Sequence, residues 1–213
     1  VRDSRVLPKF GMGDIDDESL RAYRQMFRDM SPDHPRTTLG DQEFLDQLGA
    51  WRRDRESGDE GLTVAGLLLI GKYDSIREIF PNYFVDYQER QADSETIEWV
   101  DRVIPDGRWS GNLFDFYRRT VVKLVADLRV PFKLDANLFR RDDTHVHEAL
   151  REALVNSLIH ADYEGRVSIL VVKRPDGFEF RNPGLLRLPV EQIRKGGVSD
   201  CRNRTLQTMF RAV

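Results

Sequence analysis

An α+β fold is predicted by three features of the chain. A long amphipathic stretch, residues 144–163, carries the period of a helix, and two short runs behind it, 167–173 and 178–182, read as strands. Ahead of it lies a series of helical segments with at least one further strand. With 213 residues, 40% hydrophobic and 32% charged, the chain can bury a real core as one large domain or two small ones.

The elements follow in order. The acids of residues 14–19 (DIDDES) open a first helix through Leu20, Tyr23, Met26 and Phe27, where they favour the positive end of the helix dipole. Thr38 and Asp41 open a second, short helix carrying Phe44, Leu45 and Leu48. Residues 51–61 read as a charged, glycine-punctuated loop, with no core-forming residue after Trp51. A buried helix over 62–72 comes next, then a strand near 83–88, an acidic loop up to residue 100 and a long helix over 112–128. Trp99 and Trp109 flank a loop and read as lids on the core. Pro131 and the charged cluster 140–143 interrupt the periodicity, so the domain boundary is expected within 130–143.

The helix of residues 144–163 is the most informative element. Val146, Leu150, Ala153, Leu154 and Leu158 form its apolar stripe, while Glu148, Glu152, Asn156 and His160 recur every fourth residue along one ridge. Two readings of that ridge are open. It is a solvated face, or it faces a pocket in which a neutral amide oxygen and a carboxylate one turn earlier serve Mg²⁺ and a water. Behind the helix, a turn at 174–177 joins the two strands, and Asn182-Pro183-Gly184 ends the second with a glycine that permits close backbone approach to a ligand. Residues 189–195 form a further helix, with Gly196 and Gly197 available as its C-terminal cap.

Several other residues carry weaker signals. His145 and His147 alternate on a helix, where their side chains diverge, and no third ligand stands near for zinc. Cys201 is the single cysteine and reads as a bystander; it excludes an internal disulfide and fits a reducing cytoplasm. Arg202, Arg204 and Arg211 read as solvated helix residues or as contacts to phosphate or a DNA backbone, and Asp162 as a cap or a partner of Arg166. A formal net charge of −3 argues against broad electrostatic capture of nucleic acid. The greasiest run, 62–70, falls far short of the ~20 apolar residues that span a bilayer.

Residues 152–163 (EALVNSLIHADY), followed by 178–185 (FEFRNPGL), resemble the divergent ATPase module of RecG-like transcriptional regulators, a branch of the GHKL group. Residues 62–72 (LTVAGLLLIGK) and Ile79-Phe80-Pro81 are similar to the segment these proteins carry after an N-terminal Schlafen/AlbA-type domain. Residues 196–203 (GGVSDCRN) resemble the family's loop. The resemblance implies a helical and strand lobe over 1–130, then the front part of a GHKL-like ATP-binding domain, a partial Bergerat-type sandwich, over 131–213. It implies ATP and Mg²⁺ as cofactors, Glu152 as the water-activating acid and Asn156 as the Mg²⁺ ligand. His160, Asn182, Gly184, Gly196 and Gly197 would contact the nucleotide, the last two as the start of a glycine-rich lid.

The pattern departs at Asn182, where the family writes Asp against the adenine amine. An amide oxygen still accepts that hydrogen bond but brings no charge, so weak binding with slow or absent hydrolysis is expected. A catalytically degenerate fold serving as an oligomerisation or interaction scaffold is the alternative. The chain opens at Val1 and stops within a helical pattern, and so reads as an internal fragment of a cytoplasmic regulator. DNA would be bound only by domains outside it, and homo-oligomerisation is left open.

Overall fold

The computed structural model describes residues 3–91, 99–126, 128, 145–195 and 200–213. The chain is α+β: helices pack around two small sheets.

Helix α1 (Asp17–Met30) starts where the acidic run predicts. Asp16 caps it by accepting the Ser19 amide at 2.8 Å, and Leu20, Tyr23 and Phe27 form its buried face. Helix α2 (Asp41–Leu48) ends on Gly49 in the left-handed region, with the Gly49 amide donating to the Asp46 carbonyl and the Ala50 amide to that of Leu45. Residues 51–61 are not a plain loop: β1 (Trp51–Arg53) pairs antiparallel with β2 (Glu60–Leu62). This hairpin lacks apolar alternation because side chains organise its turn. The Asp54 carboxylate accepts from the amides of Glu56 and Ser57, and the Trp51 indole donates to Glu60.

Helix α3 (Val64–Ile70) is buried at all seven positions and capped by Thr63. Its Gly66 sits against the α2–β1 junction, where a β-carbon would lie 2.3 Å from the Ala50 carbonyl oxygen, so only glycine lets the two backbones meet. The short α4 (Tyr73–Ile79) follows, an element the sequence reading lacks. Helix α5 (Leu113–Val125) begins at Asn112, whose amide oxygen accepts from the Asp115 N–H. Its NH₂ donates to Ser19 Oγ and the Gly71 carbonyl, so one buried amide joins α1, α3 and α5.

The four-stranded sheet has the order β4-β3-β5-β6, built from β3 (Val85–Arg90), β4 (Trp99–Val103), β5 (Ile169–Arg174) and β6 (Gly177–Arg181). The central pair, β3 and β5, is parallel, with Val85 opposite Ile169 and Tyr87 opposite Val171. Those four residues face the apolar core. On the other face the Asp86 carboxylate accepts both prongs of the Arg102 guanidinium, at 2.9 and 2.8 Å, and the Gln88 amide at 2.7 Å. Trp99 does not cap the core: it lies on β4, 45% exposed, with the Arg102 guanidinium 4.5 Å over its ring. Trp109 does pack against the core, its indole donating to the Ile104 carbonyl. The acidic loop expected up to residue 100 ends sooner, since Trp99 and Val100 belong to β4; residues 92–98 lie outside the described residues.

Helix α6 (His145–Ile159) packs on α5, on β5 and β6, and on the final helix α8 (Arg204–Phe210); α7 (Val190–Lys195) lies between β6 and α8 in the chain. Its buried face is rotated from the expected stripe. Val146 is exposed and His147 buried, and the face continues through Leu150, Leu154, Ser157 and Leu158. Segment 130–143, the expected boundary, lies outside the described residues; strands from either side of it share one sheet and one core. No helix among the described residues is long and apolar enough to cross a membrane.

Candidate functional site

The end of α6 meets the end of β6 at a cavity of about 490 Å³. Three interactions hold the two ends together. The Asp162 amide donates to the Pro183 carbonyl at 2.9 Å, which pins the Asn182-Pro183-Gly184 turn to the helix terminus. Gly184 has φ 114°, a conformation that disfavours side chains, and a β-carbon there would lie 3.1 Å from both Arg202 Nη2 and Asp162 Cβ. Arg202 completes the clamp: its Nε donates to the His160 carbonyl at 3.2 Å and its Nη2 to the Leu185 carbonyl at 2.9 Å, with Asp162 Oδ2 3.7 Å away. A guanidinium at the C-terminal end of a helix also complements the helix dipole.

Asn203 reinforces the same terminus. Its side-chain amide donates to the carbonyls of Ile159 and Ala161, at 2.9 and 2.8 Å, and its backbone amide to Ile159 at 3.0 Å. These contacts satisfy carbonyls that the end of α6 leaves without helical partners. The Cys201 thiol beside them is buried, and burial raises its pKa, which keeps it protonated.

Of the residues singled out from sequence, Asn156, His160, Asn182 and Gly184 line this one cavity. Glu152 does not: it is exposed and absent from the cavity wall. Glu148 is also exposed and lies 3.5 Å from His145. The physical reason is the pitch of the helix. Every fourth residue advances about 40° around the axis, so the ridge from Glu148 to His160 turns from solvent toward the cavity. Gly196 and Gly197 lie outside the described residues. The His145–His147 pair diverges, one side chain exposed and the other buried, and no cluster of three or more His, Cys, Asp or Glu gathers among the described residues.

The cavity's electrostatics come from Arg187, Asp200 and Arg202, none of them among the nucleotide contacts that the resemblance implies. Arg187 Nε lies 2.8 Å from Asp200 Oδ2, and both side chains line the wall, as does Arg202. Asp200 is the one carboxylate among the described lining residues. Burial, then the charge of Arg202, pushes the His160 pKa below its ordinary value, so its imidazole is neutral at pH 7. Two guanidinium groups and one carboxylate stand among the described lining residues, with Asp162 beside Arg202 behind the wall. Asn156 and Asn182 supply neutral amide oxygen atoms, of the hard kind that Mg²⁺ takes, and Phe180 with Leu188 supplies apolar wall. Volume and mixture are those of a small-ligand site. Arg187 carries no local motif, and Arg202, a phosphate candidate from sequence, has its guanidinium engaged by backbone carbonyls instead.

Residues 1–86 match a family described as a domain of unknown function, DUF8451. No curated protein matches the sequence. Among solved structures, the fold is similar to the crystal structure of the DIP2311 protein from Corynebacterium diphtheriae, with a TM-score of 0.68 and 19% sequence identity. The similarity covers 100% of this chain and 39% of that one. At that identity the likeness speaks for the fold alone.

Proposed function

We propose that the chain is the ATP-binding segment of a RecG-like transcriptional regulator of the cytoplasm, one that takes Mg·ATP weakly and turns it over slowly or not at all. The observation that carries the reading is the convergence of Asn156, His160, Asn182 and Gly184, from an α-helix and a distant strand end, on one cavity that two arginines also line. In this reading Asn156 holds the ion through its amide oxygen and Asn182 accepts from the adenine amine. Bound Mg²⁺ would offset phosphate charge. Slow or absent turnover agrees with the exposed position of Glu152, whose carboxylate stands outside the cavity wall.

A second reading, a scaffold without nucleotide, is favoured by one feature: Leu185 and Leu186 at the cavity rim are 89% and 69% exposed. Apolar side chains so placed suit contact with another chain. Calorimetry with ATP and Mg²⁺, paired with a phosphate-release assay, separates the two. The nucleotide reading requires that Asn156→Ala weaken Mg·ATP binding and that Glu152→Gln leave it intact. Flat titrations of the wild type at millimolar ATP would leave the scaffold.

A further inference from the structure

We infer that Arg187 is the anion-recognition residue of the cavity and that Asp200 holds its guanidinium until a phosphate-bearing ligand takes it. The inference rests on the nucleotide reading only for treating the cavity as a ligand site; it adds which residue meets the phosphates and what competes with them.

The cavity offers two guanidinium groups, and they are not equivalent. Arg202 is engaged by two backbone carbonyls, those of His160 and Leu185, with Asp162 as a third neighbour. Drawing it into the cavity would strand the helix-terminal carbonyl and release the Gly184 turn. Neutral His160 contributes no charge. Arg187 differs: its side chain is 44% exposed, on the loop between β6 and α7, and among the described residues its ion-pair partner is the carboxylate of Asp200. That carboxylate has a second cation in reach, Arg204 Nη2 at 3.9 Å, on a side chain that is 79% exposed and so free to approach. A ligand can therefore take Arg187 while Asp200 turns to Arg204, and no charge is left without a partner.

The geometry also selects the ligand. Asp200 competes from within the same molecule, so a ligand bringing one carboxylate of equal charge gains little by exchange. A di- or triphosphate brings more charge, and its tetrahedral oxygens suit the planar guanidinium fork in a two-pronged contact.

Calorimetry with three probes, pyrophosphate, ATP and adenosine, tests this on the wild type, Asp200→Asn, Arg187→Ala and Arg187→Lys. Asp200→Asn should tighten pyrophosphate and ATP about two- to fivefold, the worth of an exposed ion pair removed from competition. Arg187→Ala should weaken both by about tenfold or more, and Arg187→Lys should fall between wild type and Ala. Adenosine should respond to none of the substitutions. If pyrophosphate binds and responds while adenosine fails to bind, the inference stands and the nucleotide reading falls. If ATP and adenosine bind but neither Arg187→Ala nor Asp200→Asn alters ATP affinity, the inference is overturned and the nucleotide reading stands. Absence of pyrophosphate and ATP binding in both wild type and Asp200→Asn overturns it as well. Unchanged melting temperatures in the conservative variants Asp200→Asn and Arg187→Lys guard against misfolding as the cause.

Discussion

The Tyr23 hydroxyl donates a 2.7 Å hydrogen bond to the Met209 carbonyl, joining the first long helix of the chain to the last through the core. Tyr23 is fully buried, and burial pushes its phenol well above the ordinary tyrosine pKa, so the group stays a neutral donor throughout the physiological range. Asp3 makes a parallel link, its carboxylate accepting the Leu206 amide at 2.8 Å. Asp3 and α1 thus both pack on α8, and the site built at the end of α6 sits on the same body.

Tyr23→Phe should destabilise the protein by about 1–2 kcal/mol, because it leaves a buried carbonyl without its donor while keeping the ring contacts. The edge-on packing of Tyr23 on Phe44 and Phe114 survives the change, so the loss reports the hydroxyl alone. Urea unfolding followed by circular dichroism measures it. An unchanged midpoint would mean that the bond contributes nothing.

Gly66→Ala should cost more. The added carbon meets the Ala50 carbonyl at 2.3 Å, inside a helix with no exposed face onto which strain could relax. A loss of about 1–3 kcal/mol is expected from such overpacking. Gly13→Ala, with nothing within 4 Å of the new carbon, serves as the neutral control. Equal midpoints for the two variants would show that α3 can shift away.

Gly184→Ala should act on the site. Its φ of 114° and the 3.1 Å approach to Arg202 and Asp162 oppose any side chain, at a cost of about 1–3 kcal/mol. Relief requires the 182–186 turn to lift from the end of α6, which separates Asn182 from Asn156. Loss of Mg·ATP affinity alongside lowered stability is expected in paired titration and thermal melting. Wild-type values for both would show that the turn is not held by this glycine.

His160 should make stability fall in mild acid. Burial and Arg202 depress its folded-state pKa below the unfolded value near 6.5, so the folded protein binds a proton less readily than the unfolded chain. The stabilisation is complete above about pH 6.5 and is lost as pH falls from there through the depressed folded pKa. His160→Gln should flatten that part of the profile. Denaturant midpoints between pH 7.5 and 5 for the two proteins decide it, and parallel slopes would count against the assignment.

Where a structure depends on neighbours in sequence, the chain alone specified it. Asp16 and Asn112 mark the starts of α1 and α5 because a short polar side chain satisfies an amide three residues on. The β5–β6 hairpin is announced by strand-forming runs on either side of Pro175 and Asp176. The spacing of Asn156 and His160, and the glycine after Asn182, likewise pointed to residues that share a cavity. Tertiary structure decided the rest. Strand β3 (VDYQER) buries Asp86 because Arg102 of β4 answers its carboxylate, and Gln88 because Asp86 and Arg90 take its amide; the strand lies parallel to β5, more than seventy-five residues on, and neither relation leaves a local periodicity. The precession of α6 turned Glu152 to solvent, a matter of angle that a four-residue spacing conceals. Arg187, Asp200 and Arg202 belong to loops in which no periodicity marks a contact between them. They converge only because the end of α6 presents unpaired carbonyls and a cavity edge, which exist once helix and sheet have packed.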